Sequence, residues 1–177
     1  MVATLPAELD IRRLTDARAE LQGTLPLAGM KRLADMALDP GREQVSVQLR
    51  FLRDELGRRL LYGKLRAPIT CQCQRCLGPV RLDIEHDFAI EFVWGMSQLP
   101  QVERNHSPYV LETDEPLSLA ELVEDELILA MPVVARHAGL DSCEPPRHDA
   151  DRDEAADESG DGREKPFAGL ARLKLRK

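Results

Sequence analysis

Between Val45 and Phe92 the apolar residues fall on every second position, in three successive runs. Val45, Val47, Leu49 and Phe51 alternate with Ser46, Gln48 and Arg50. Leu61, Gly63, Leu65, Ala67 and Ile69 form the second run; Val80, Leu82, Ile84, Phe88, Ile90 and Phe92 form the third. Side chains of an extended strand point alternately to its two faces, so a period of two predicts strands buried on one side and wet on the other. Asp54 to Gly57 supplies a turn between the first two runs. Short connections of this kind predict an antiparallel meander of three or more strands. His86 alone is out of pattern.

Helical periodicity appears on either side of these strands. Leu27, Met30, Leu33, Ala34, Ala37 and Leu38 lie near helical spacing and stop at Pro40 and Gly41, which predicts a short N-terminal helix. Ser118 and Glu121 form a capping box, in which the serine oxygen takes an orphan N–H at the helix start. The main helix opened there carries Leu119, Leu122, Val123, Leu127 and Met131 inward and ends at Pro132. Glu121, Glu124 and Asp125, with Glu126 at the margin, make an acidic opposite face. It reads as a solvated face or as a docking surface for a basic partner such as a ribosomal protein. The fold class is α+β, an antiparallel sheet with one main packed helix.

The net charge of −7 is unevenly placed. Residues 141–164 hold ten acids and three bases, with no Leu, Ile, Val or Phe, and with Pro145, Pro146, Gly160 and Gly162. Such a stretch cannot offset its ordering entropy by burial, so it reads as a disordered acidic linker after a single domain of residues 1–140. Residues 165–177 hold five bases and no acid. Phe167, Leu170 and Leu173 recur every three residues there, among Arg172, Lys174, Arg176 and Lys177, as in a short basic amphipathic helix. That peptide either docks on the domain or binds in trans, to RNA phosphates or an acidic groove. The longest apolar run, residues 127–135, is broken by Pro132 and is half of the ~20 residues a membrane span needs. With no basic-plus-apolar leader in view, the expectation is a cytoplasmic protein without a membrane partner.

The four cysteines are Cys71, Cys73, Cys76 and Cys143. Cys73 and Cys76 form a C-x-x-C between the second and third strands, and a tight turn there aims two thiolates at one point. Cys143 and His137 would complete a four-ligand zinc site, with Cys71 in reserve. A redox dithiol and reduced, unliganded thiols are the competing readings. His86, His106 and His148 have no partner at metal or catalytic spacing. No G-x-S-x-G, P-loop or dinucleotide fingerprint occurs, so nothing in the chain reads as an active site.

Taken in order, several segments form a familiar succession: Cys73, Gln74, Arg75, Cys76 and Leu77; the helix from Leu122 through Pro132 to Val134; His137 with Cys143 and Glu144; and the ending from Lys165 to Lys174. That succession resembles the bacterial YceD family, the large ribosomal RNA subunit accumulation proteins, from about Leu25 onward. Two features depart from it: the usual Asn-Pro-Phe-Ala reads Lys165, Pro166, Phe167, Ala168, and Cys71 is additional. The resemblance implies a non-enzymatic role in synthesis, processing or stability of 23S rRNA, with large-subunit precursor particles as partner. Contact would run through a ribosomal protein, through rRNA, or both, using Glu124, Asp125 and the basic peptide. The second class in view is a zinc-knuckle adaptor or regulator working away from ribosomes. The sequence leaves the oligomeric state open.

Overall fold

The computed structural model describes residues 5–139 and Cys143. The expected linker and basic peptide lie outside the described residues, Cys143 excepted. By its contacts the chain divides into a unit Met1–Pro145 and a second, Pro146–Lys177. Cys143 therefore belongs to the first unit.

The chain opens with β1 (Glu8–Leu9) and α1 (Ile11–Asp16), whose N-cap Asp10 accepts from the Arg13 N–H. β2 (Glu20–Pro26), a 3-10 turn (Leu27–Gly29) and α2 (Lys31–Met36) follow. Then come β3 (Gln44–Arg53), β4 (Arg59–Gln72) and β5 (Pro79–Trp94), the three strands expected from the alternating pattern. Another 3-10 segment (Met96–Gln101), β6 (Ser107–Leu111), β7 (Leu117–Ser118) and α3 (Leu119–Ala130) complete the order.

The five long strands form one sheet in the order β2-β3-β4-β5-β6. All pairs are antiparallel except β5 with β6, which is parallel. The meander is thus larger than its three legible strands, and it is mixed rather than purely antiparallel. β2 and β6 are edge strands whose faces are half wet, so their alternation is weak. Gly23, Pro26 and Pro108 dilute it further. β1 pairs with β7 in a two-residue ribbon that ties the start of the chain to the start of α3.

One face of the sheet carries Val45, Val47, Leu49, Phe51, Leu61, Leu65, Ile69 and Ile90, all buried against α3 and α2 through Leu119, Leu122, Val123, Leu127 and Leu33. Removing such aliphatic side chains from water is the main stabilising term in a domain with few aromatics. Gly63 is required in this layer. A Cβ there would lie 2.0 Å from the Phe88 ring, which occupies the space above it. The predicted helix over 27–38 is shorter, because Gly29 and Met30 break it into a 3-10 turn and a six-residue α-helix. The Ser118 cap is present, with Oγ accepting from the Glu121 N–H at 3.3 Å. No helix among the described residues is long and apolar enough to cross a membrane.

Candidate metal centre

β4 ends at Gln72 and β5 begins at Pro79, and the intervening turn carries Cys73 and Cys76. The Cys73 N–H donates to Gly78 O at 2.8 Å, and the Leu77 N–H donates back to Cys73 O at 2.9 Å. Leu77 takes a left-handed φ of 62° to close this turn, a conformation that costs a non-glycine residue about 1 kcal/mol. The residues after α3 form a second arm. Pro132 stops the helix, and the following segment runs beside the turn, where the Gln74 N–H donates to Ala135 O at 2.8 Å. That contact places His137 Nδ1 3.5 Å from Cys76 Sγ, while Cys143 Sγ lies 3.5 Å from Cys73 Sγ.

The four donor atoms all lie within 4.8 Å of one another. Sulfurs bound tetrahedrally at about 2.3 Å would sit about 3.8 Å apart, so small adjustments convert this group to a coordination shell. Cys73 and Cys143 are buried with Val80 and Ala135, and Cys76 and His137 form the wetter side. His137 Nε2 lies 3.0 Å from Pro79 O. A carbonyl only accepts, so Nε2 carries the proton and Nδ1 turns its lone pair toward the sulfurs, as a metal-ligating histidine must.

The backbone favours one thiolate of the group, and burial opposes a second. Backbone N–H groups, that of Cys76 first and those of Arg75 and His137 after it, outweigh burial and hold the Cys73 thiol down to about 5. Burial, reinforced by the Cys73 sulfur, pushes the Cys143 thiol up. With four side-chain donors already grouped, a bound ion would have no protein-free position, which is the pattern of a structural centre. The four residues named from the sequence are the four that meet. Cys71 is not among them. It sits on the neighbouring strand position, its thiol pushed up by burial and by the charge of Glu43.

The acidic face of α3 is solvated only in part: Glu121 is exposed and Asp125 half exposed, whereas Glu124 and Glu126 are buried. Glu124 is only 4% exposed. Its Oε1 accepts from the Arg32 and Leu33 N–H groups at 2.6 and 3.1 Å, and its Oε2 from Arg32 Nε and Nη2 at 3.0 and 2.8 Å. Glu124 thus caps α2, whose own N-cap, Met30, makes no side-chain hydrogen bond. Asp125 pairs with the same Arg32 at 2.6 Å, and buried Glu126 meets His86 at 3.0 Å. The out-of-pattern histidine is explained by a carboxylate forty residues away. The His106 side chain is largely covered: its Nε2 meets Tyr62 Oη at 3.3 Å, and its Nδ1, which makes no hydrogen bond, lies 3.4 Å from Glu91. Neither histidine is unpartnered, and sequence spacing held no signal of these long-range pairs. Phe167, Leu170, Arg172, Lys174, Arg176, Lys177 and His148 lie outside the described residues.

A family model described as "Large ribosomal RNA subunit accumulation protein YceD" matches residues 61–174. The chain belongs to the YceD family. A curated relative, the large ribosomal RNA subunit accumulation protein YceD of Haemophilus influenzae, is 27% identical over 140 residues, 79% of each chain. No solved structure matches. The YceD match spans nearly all of β4, then β5, β6, β7 and α3, and includes all four residues of the candidate metal centre. β1 to β3, α1 and α2 precede it.

Proposed function

We propose that the chain is a non-catalytic, cytoplasmic factor that supports accumulation of 23S rRNA and hence biogenesis of the large ribosomal subunit. The observation that carries this reading is the YceD family match over residues 61–174. The Cys3His centre supports it: a saturated thiolate-imidazole group stabilises a small domain and offers no open position for a substrate. Zinc is the ion of choice for such soft donors in tetrahedral array. Its role is to staple the β4–β5 turn to the segment after α3. The partner is the large-subunit precursor particle, met through a ribosomal protein, through rRNA, or both, with the 165–177 peptide as one arm of contact.

Sedimentation of cell lysate on a gradient tests the reading, each fraction being probed for the protein at low and raised salt. Co-migration with large-subunit precursors, together with a lowered 23S-to-16S ratio in cells depleted of the protein, is expected. An unchanged ratio and confinement to the top fractions at both salts would overturn it.

A further inference from the structure

A groove of about 530 Å³ opens where α1, the β3–β4 turn and the end of β5 meet. That is within the range of roughly 300–1,000 Å³ typical of ligand clefts. Four guanidinium groups line it, those of Arg12, Arg53, Arg58 and Arg59, with Trp94, the one tryptophan of the chain, and the exposed amides Gln98 and Gln101. One carboxylate lines it, Glu91, which is 4% exposed and turned toward His106. The surrounding domain makes this unexpected. Subtracting the eight bases and ten acids of residues 141–177 from the chain totals of 24 and 31 leaves 16 bases against 21 acids over residues 1–140.

Four like charges do not gather without cause, and carboxylates outside the lining hold them. Asp114 accepts from Arg12 Nε at 2.6 Å and from Trp94 Nε1 at 2.7 Å. Asp16 grips Arg59 at 2.9 Å and Arg53 at 3.5 Å. Asp54 and Glu103 each hold Arg58 at 2.6 Å. Arg59 also donates to Thr15 Oγ1 and to Arg12 O. Arg12 and Arg59 approach the Trp94 ring to 4.4 and 5.9 Å from its centroid. The arginines are therefore fixed from behind. Arg12 directs only Nε to a carboxylate and Arg58 keeps Nη2, so charged donors remain for a ligand.

We propose that this groove binds single-stranded RNA, with Arg12, Arg53 and Arg58 on phosphates, the Trp94–arginine stack beneath a base, and Gln98 and Gln101 at base edges. Guanidinium forks match phosphate oxygens, and an unpaired base stacks on an indole or guanidinium plane. Gln98 Oε1 already accepts from the Trp94 backbone N–H at 2.9 Å, which leaves its NH2 and the Gln101 amide for a ligand. An acidic peptide would use the cations but leave the indole face and these groups without a role, so the observations favour RNA. The inference deepens the reading above and rests on it, since it makes the contact with rRNA direct.

Trp94 reports on its own site. Full-length protein titrated with ten-nucleotide oligouridylate and oligoadenylate is expected to show quenched Trp94 emission. The double substitution Arg12→Ala, Arg53→Ala is expected to weaken binding about tenfold and to flatten the dependence of log K on log salt by about 1.4, two phosphate contacts on a single strand. Both side chains are half exposed, so the fold should survive. A thermal melt checks it, and Arg53→Ala alone serves if the double variant unfolds. Arg42→Ala, in the turn before β3 and 87% exposed, should leave affinity unchanged. Unchanged Trp94 emission at saturating RNA, equal affinity in the arginine variants, or an equal response to a decaglutamate peptide would each overturn the proposal. None of these outcomes touches the sedimentation result, so the groove and the family-based reading fail separately.

Discussion

Glu124 carries more of this fold than its place in an acidic stripe suggests. Burial alone would raise its pKa, but Arg32 and the Leu33 and Arg32 N–H groups bring the carboxyl below its ordinary value. A depressed carboxylate stabilises the fold above its unfolded pKa of 4.5, and that contribution is lost as pH falls through the folded value. Acid unfolding should therefore begin below about pH 4.5 and be blunted in Glu124→Gln, which cannot titrate. Glu124→Ala leaves two helix N–H groups and Arg32 Nε without an acceptor, with only Asp125 still holding the guanidinium. It should lower stability by about 2–3 kcal/mol, read as a reduced urea midpoint at unchanged slope. Gly63 makes a second test. Gly63→Ala drives a methyl into the Phe88 ring and should cost about 2–3 kcal/mol, with Phe88→Leu recovering part of the loss. Neither role is visible in a residue's own neighbourhood: the partners of Glu124 lie 91 and 92 positions away, and Phe88 reaches Gly63 only through strand pairing.

At the scale of elements, the candidate metal centre joins the β4–β5 turn to the segment after α3, which among the described residues also share the hydrogen bonds Gln74 N–H to Ala135 O and His137 Nε2–H to Pro79 O. Purified protein should contain one zinc per chain. Cys73→Ser and Cys143→Ser should lose it and melt several degrees lower, because binding to the folded state alone adds to stability. Cys71→Ser should keep full stoichiometry, which separates the four donors from the fourth cysteine. Chelation should raise hydrogen exchange at the Gln74 amide before the strand interior exchanges. A metal-free, fully folded wild type would remove zinc from the account. The candidate donor set was legible because a C-x-x-C between two strands marks two ligands and Cys143, with His137 six residues before it, offers two more. Its geometry was not, since it depends on where Pro132 releases the chain after α3.

For the whole molecule, the sequence separates a mildly acidic sheet domain, 16 bases against 21 acids, from a strongly acidic stretch and a basic end, and the family match covers residues 61–174. Deleting residues 165–177 should weaken association with precursor particles and reduce its salt sensitivity, as measured by sedimentation; unchanged association would remove that peptide from the mechanism. What the sequence by itself determined is whatever rests on local pattern. Three core strands follow from period two, the α3 start from its capping box, the C-x-x-C half of the candidate metal site from cysteine spacing, and the family from an ordered set of motifs. What only the tertiary structure decided is whatever rests on meetings between distant residues. The edge strands β2 and β6 and the parallel pairing of β6 depend on neighbours rather than on alternation. The conversion of an acidic helix face into the clamp on Arg32, α2 and His86 depends on packing. So does the gathering of four arginines around Trp94. The physical reason is the same in each case: a side chain's charge and periodicity are written in its own segment, but its burial and its partner are set by the chain that folds against it.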